Sequence, residues 1–83
     1  MPQISVYIKN DTSNDYNVHA FDLFANGQRE VGGSPFALAG GETSPAFAVN
    51  ASSNGRGTVG YSCDGGPSLS GIDVGNGDIV SIQ

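Results

Sequence analysis

The length of 83 residues is enough for one packed core, so a single domain spanning residues 1–83 is expected. The formal net charge is −5, and Lys9, Arg29 and Arg56 stand alone and far apart, so no basic patch exists to bind nucleic-acid phosphates or an anionic membrane. The longest apolar runs are four residues, far short of the about 20 a spanning helix needs, while Val, Ile, Phe and Tyr recur along the chain in a way that disordered sequences lack.

Strand signals begin at once. Ile4, Val6 and Ile8 alternate with Ser5, Tyr7 and Lys9, placing three aliphatics on one face of an extended segment. The polar stretch from Asp11 to Asp15 turns the chain. A second strand then runs from Tyr16 to Ala25, with His19, Phe21 and Leu23 opposite Val18, Ala20, Asp22 and Phe24. Apolar bulk on both faces marks it as central, and the larger Phe21 and Leu23 side is the expected core face. Asn26-Gly27 suits a type I′ turn leading into a short strand at Gln28 to Val31.

Gly32-Gly33-Ser34-Pro35 breaks that strand, Phe36-Ala37-Leu38 reads as a brief edge segment, and Gly40-Gly41 turns again. After Pro45, Phe47, Val49 and Ala51 face one way, with Ala46, Ala48 and Asn50 the other. Ser52-Ser53-Asn54-Gly55 is expected to make a hairpin to the strand carrying Val59, Tyr61 and Cys63. Asp64-Gly65-Gly66-Pro67 ends it. Leu69, Ile72 and Val74 continue across Gly71, a candidate bulge, and Asn76-Gly77 suggests a last hairpin to Ile79–Ile82, with Val80 and Ile82 inward. Helix periodicity is missing throughout. The pattern predicts an all-β protein, a small antiparallel β-sandwich of six or seven short strands joined by Asn-Gly and Gly-rich turns.

Motifs for catalysis are weak. Gly55 to Gly60 carries the letters of a dinucleotide-binding fingerprint, but a strand follows where the phosphate site needs a helix. Cys63 is the only cysteine and His19 the only histidine; a Cys63/His19 pair oriented by Asp22 or Asp64 can be written, yet Gly60-Tyr61-Ser62-Cys63-Asp64 lacks the last glycine of a nucleophile elbow. Cys63 is expected to be a small buried residue beside Val59 and Tyr61, and the chain is not expected to be an enzyme. With one cysteine no intramolecular disulfide can form, and no basic, apolar leader follows Met1. A cytoplasmic setting is favoured, with secretion after removal of a leader as the alternative.

The segment from Asp11 to Asn17 is the most informative. Asp11, Ser13, Asp15 and Asn17 alternate as oxygen ligands do in a loop around Ca²⁺, so they form a candidate weak calcium site. An EF-hand would require Gly at the position of Tyr16 and Glu at that of Asp22. The run Asn14-Asp15-Tyr16-Asn17-Val18 resembles part of the calcium loop of the two-calcium bacterial fucose-binding lectins, small all-β proteins that hold sugar hydroxyls through the ions. Two acidic ligands of that loop fall at Ser13 and Val18 in this chain.

Tyr7 and Tyr16 could together offer a platform near the acidic turn. The expected ligand- or partner-binding set is therefore Asp11, Asp15, Tyr16, Asn17 and Tyr7. The function expected is recognition without catalysis, with a protein partner or a second copy bound through exposed strands. An acidic surface of this kind suits docking onto a basic protein. A carbohydrate-binding module with Ca²⁺ in the Asp11–Asn17 loop is the alternative. A thin core without disulfides adds an expectation of homo-oligomers.

Overall fold

In a computed structural model, residues 2–24 and 29–83 are described. Among the described residues eight strands follow one another: β1 (Gln3–Asn10), β2 (Tyr16–Asp22), β3 (Arg29–Glu30), β4 (Phe36–Leu38), β5 (Phe47–Asn50), β6 (Arg56–Cys63), β7 (Ser68–Gly75) and β8 (Ile79–Ile82). They form a β-sandwich. One sheet has the order β5-β1-β8, the other β3-β2-β6-β7, with β4 beside β3 on the same edge of β2. Splitting that edge between two short strands raises the number above the six or seven expected.

Alternation dictates most of the core. Ile4, Val6 and Ile8 of β1, Phe47 and Val49 of β5, and Val80 and Ile82 of β8 point inward from the three-stranded sheet. Val59, Tyr61 and Cys63 of β6 and Val74 of β7 meet them from the other. Phe36 and Phe47 stack with ring centroids 5.6 Å apart at 27°. Each such aliphatic or Phe buried contributes roughly 1.5–3 kcal/mol against the entropy of ordering the chain.

Strand β2 reverses the expected core face. Val18, Ala20 and Asp22 are buried, whereas His19, Phe21 and Leu23 lie half-buried on the outer surface. The reason is a polar one: the Asp22 carboxylate is satisfied inside, accepting from the backbone N–H groups of Phe24 at 3.1 Å and Asn50 at 2.8 Å. A charged residue fits the inward set when donors are waiting for it.

Two expected hairpins are crossings between the sheets instead. The turn after β5 carries the chain from the three-stranded sheet to β6, and Asn76-Gly77 carries it back from β7 to β8. There β8 runs parallel to β1, with Tyr7 opposite Ile79 and Asn10 opposite Ile82. The Asn76 side chain accepts from the Ser5 N–H at 2.9 Å and the Gly77 N–H donates to the Ser5 carbonyl at 2.7 Å, so the turn is fastened to β1 rather than to the strand it leaves. The true hairpins join β2 to β3 and β6 to β7. Asn26-Gly27, expected at the first, lies outside the described residues. Gly71 sits at φ +74° where the β6–β7 register shifts between Val59 and Tyr61, the expected bulge.

Candidate functional site

The Asp11–Asn17 turn is shaped from beneath by Asn10, which closes β1 and is wholly buried. Its side-chain amide donates to the carbonyls of Asn14 at 2.6 Å and Leu38 at 3.1 Å, and its oxygen accepts from the Thr12 N–H at 3.0 Å and hydroxyl at 2.5 Å. One side chain thus supplies both donors and the acceptor that the turn lacks. The segment after β4 folds back onto it, with the Gly41 N–H donating to the Asn10 carbonyl at 2.6 Å. Gly40 packs directly against the Thr12–Ser13 backbone, where a Cβ would come within 2.7 Å of the Thr12 carbonyl oxygen.

The four proposed calcium ligands diverge. Asp11 turns toward the three-stranded sheet, 3.3 Å from Lys9 Nζ, and a hydrogen bond with Ser81, reinforced by Lys9, lowers its pKa. Asp15 Oδ1 accepts from the Gly40 N–H at 3.2 Å, Asn17 donates to Asp64 at 3.1 Å, and Ser13 is exposed on the turn. Among the described residues no group of three or more acidic, histidine or cysteine side chains is placed to share a metal ion. Tyr7 is paired with Ile79 in the three-stranded sheet and Tyr16 with Leu38 in the other, so the two tyrosines belong to different sheets.

What Asp15, Tyr16 and Asn17 do share is a groove of about 400 Å³, completed by Ala37, Leu38, Ala39 and Glu42. Two carboxylates clasp the turn at its rim: Asp15 holds the Gly40 N–H, and Glu42 Oε1 accepts from the Ala39 N–H at 2.7 Å. The second oxygen of each has no hydrogen-bond partner among the described residues. Tyr16 is partly buried against the core, and its ring occupies the space that a Cβ on Gly66 would need. Glu42 carries no signal in sequence, since its part depends on the 39–42 turn reaching back to Asn10.

A second polar constellation stands on the outer face of the five-stranded sheet. His19 Nδ1 lies 2.7 Å from Glu30 Oε2 and Nε2 lies 3.3 Å from Asp64 Oδ1. Ser34 donates to the same Glu30 oxygen at 2.6 Å and accepts from the Ala20 N–H at 3.0 Å. The bond to Glu30, then that to Asp64, raise the His19 pKa above its ordinary value. Glu30 is lowered, first by Ser34 and then by His19; Asp64 is lowered, first by Asn17 and then by His19. Of the partners the sequence offered His19, Asp64 does meet it, Cys63 and Asp22 lie on the inner face, and Glu30, the nearer contact, carried no signal while His19 was placed inward with Phe21.

Cys63 is buried on the inner face. Burial, with the charge of Asp64 second, pushes its thiol pKa up. Its strand neighbour across the sheet is Val18, while His19 pairs with Ser62 on the opposite face, so the pair written from sequence is split by the sheet. On the outer face, Phe21, Gly60, Ser62, Ser68, Leu69 and Ser70 border a shallow groove of about 460 Å³. It adjoins β7, whose outer edge has no strand neighbour among the described residues.

Compared with protein-family models, curated proteins and solved structures, the chain has no significant match.

Proposed function

We propose that this protein is a non-catalytic recognition module that docks onto a basic protein surface through the groove between Asp15 and Glu42. The carrying observation is a difference in charge pairing. Lys9 and Arg56 are each paired, with Asp11 and Asp73, whereas no Lys or Arg among the described residues pairs with Asp15 or Glu42. Two anchored carboxylates beside Tyr16 and an apolar floor complement a cationic side chain and its aliphatic stem. A non-catalytic role is supported by His19, whose Nδ1 is bonded to Glu30 and whose Nε2 faces Asp64, and by Cys63, which the sheet separates from His19.

Nuclear magnetic resonance titration with hexalysine at low salt tests the docking surface. Amide shifts clustered at Asp15, Tyr16, Asn17, Ala39 and Glu42, abolished in Asp15→Lys/Glu42→Lys, are expected. Shifts spread evenly over all acidic positions would mean diffuse electrostatics and no site.

The free edge of β7 supports a second contact, pairing with another polypeptide or another copy. Light scattering tests the latter, and a strict monomer at tens of micromolar removes it. A carbohydrate in the Asp15–Glu42 groove is the alternative, favoured by Tyr16 and the two carboxylates that line it. A glycan array read with and without EDTA separates it from the protein-docking reading.

A further inference from the structure

We infer that His19 is a proton-operated latch on the acidic face: protonated, it holds Glu30 and Asp64 together, and on losing its proton it frees Asp64 and makes the docking surface more negative. The inference rests on the docking proposed above for the consequence, but the latch itself rests on geometry. Two carboxylate oxygens face the two ring nitrogens, at 2.7 and 3.3 Å, and a carboxylate only accepts. Imidazolium alone can donate to both; a neutral ring must give one of them up. The hydrogen bond to Glu30 is reinforced by the Ser34 hydroxyl, whereas Asp64 meets the ring as an ion pair at 3.3 Å, so the Asp64 contact is the one released.

The ring ties three elements together. Glu30 belongs to β3, His19 to β2, and Asp64 to the turn between β6 and β7. Among the described residues no other charged side chain faces the ring: its neighbour on β6 is Ser62, and Glu30 and Asp64 are the charges that act on it. Asp64 is also the link to the groove, because its second oxygen accepts from Asn17, one of the lining residues. Loss of the His19 proton therefore leaves Asp64 a full, uncompensated carboxylate next to the site where a cationic side chain docks.

The test combines two readouts on the whole chain. Long-range ¹H–¹⁵N spectra of the imidazole follow His19 from pH 5 to 9, and hexalysine affinity is measured at constant ionic strength from pH 6 to 8.5, where lysine stays charged. Two protonated nitrogens below the transition, a midpoint above about 6.5, and affinity rising roughly three-fold through it are expected. In His19→Gln the affinity should not change over that range. Asp15→Lys/Glu42→Lys should lose hexalysine while its His19 titration stays intact.

A midpoint at or below about 6.5, or a single protonated nitrogen at pH 5.5, overturns the latch. A normal His19 transition with flat affinity overturns its control of docking. A normal transition in a wild-type chain that binds no hexalysine instead sinks the docking reading and leaves the latch standing.

Discussion

Asp22 on β2 accepts a hydrogen bond of 2.8 Å from the backbone N–H of Asn50 on β5, so one carboxylate ties the two sheets together at the end of the sandwich. Its other oxygen takes the Phe24 N–H at 3.1 Å, and the residue is only 8% exposed. Asp22→Ala leaves two shielded N–H groups with no acceptor. The expected loss is about 2 kcal/mol, and the melting temperature should fall by roughly 10 °C for a domain of this size. Asp22→Asn keeps one acceptor and turns an NH₂ toward the other donor, so it should fall between the two. Circular-dichroism melts of the three proteins check the order, and an unchanged Asp22→Ala would show that the link contributes nothing.

Asn10 makes the sharper demand. Its NH₂ faces two carbonyls, at 2.6 and 3.1 Å, in a site with no solvent access. Asn10→Asp preserves shape but sets a carboxylate oxygen against both, and it should cost about 3 kcal/mol or more. Asn10→Ala, which removes donors and acceptor together, should be less damaging. In both variants the amide resonances of residues 11–17 and 38–42 should move together, since the turn and the groove share this one support. Movement confined to residue 10 would separate the groove from Asn10.

The inward sets of β1, β5, β6 and β8 were legible because in each the purely apolar set lies on one face while the other includes at least one polar or small residue, and period-2 spacing suffices to orient such a strand. Strand β2 was not. Phe21 and Leu23 outweigh Val18 and Ala20 in bulk, and nothing local shows that the Asn50 N–H arrives from 28 positions away to receive Asp22. The turns at residues 52–55 and 76–77 were placed correctly, but a turn does not state which strand its exit will pair with. That choice is made by Ser5, whose backbone captures Asn76 and Gly77. The site divides in the same way: Asp15, Tyr16 and Asn17 are contiguous and visible, while Glu42 and the His19 partners depend on pairings distant in sequence.

Cys63 should resist alkylation. The thiol is buried, its pKa is raised by that burial, and Asp64 disfavours the thiolate further. Iodoacetamide at pH 8 should modify the native protein orders of magnitude more slowly than the unfolded chain. Rapid native modification would place the thiol in reach of solvent and reopen a nucleophilic role.

Calcium should leave the protein's stability unchanged. Asp11 is engaged by Lys9 and Ser81, Asp15 by Gly40 and Asn17 by Asp64, so gathering them around one ion means breaking bonds that already hold the turn. Binding confined to the folded state raises the melting temperature by mass action. EDTA-treated protein with and without millimolar Ca²⁺ should melt at the same temperature. An upward shift of several degrees, lost in Asp15→Asn, would restore the calcium loop and favour the carbohydrate reading.

The His19 cluster, together with Asp11, also shapes the pH dependence of stability, and these groups act in opposite directions. His19 is raised in the fold, so its contribution is complete below the ordinary value of about 6.5 and fades as pH rises through the native value. Glu30, Asp64 and Asp11 are lowered, so theirs is complete above their ordinary values, near 4, and fades as pH falls through the native ones. Stability should therefore peak between about pH 5 and 6.5 and decline on both sides. Urea midpoints from pH 3 to 9 measure the profile. His19→Gln should flatten the alkaline limb and change the acid limb less, because Ser34 and Asn17 still hold Glu30 and Asp64. A wild-type midpoint that stays level from pH 6 to 9 would show that the His19 contacts with Glu30 and Asp64 do not survive in solution.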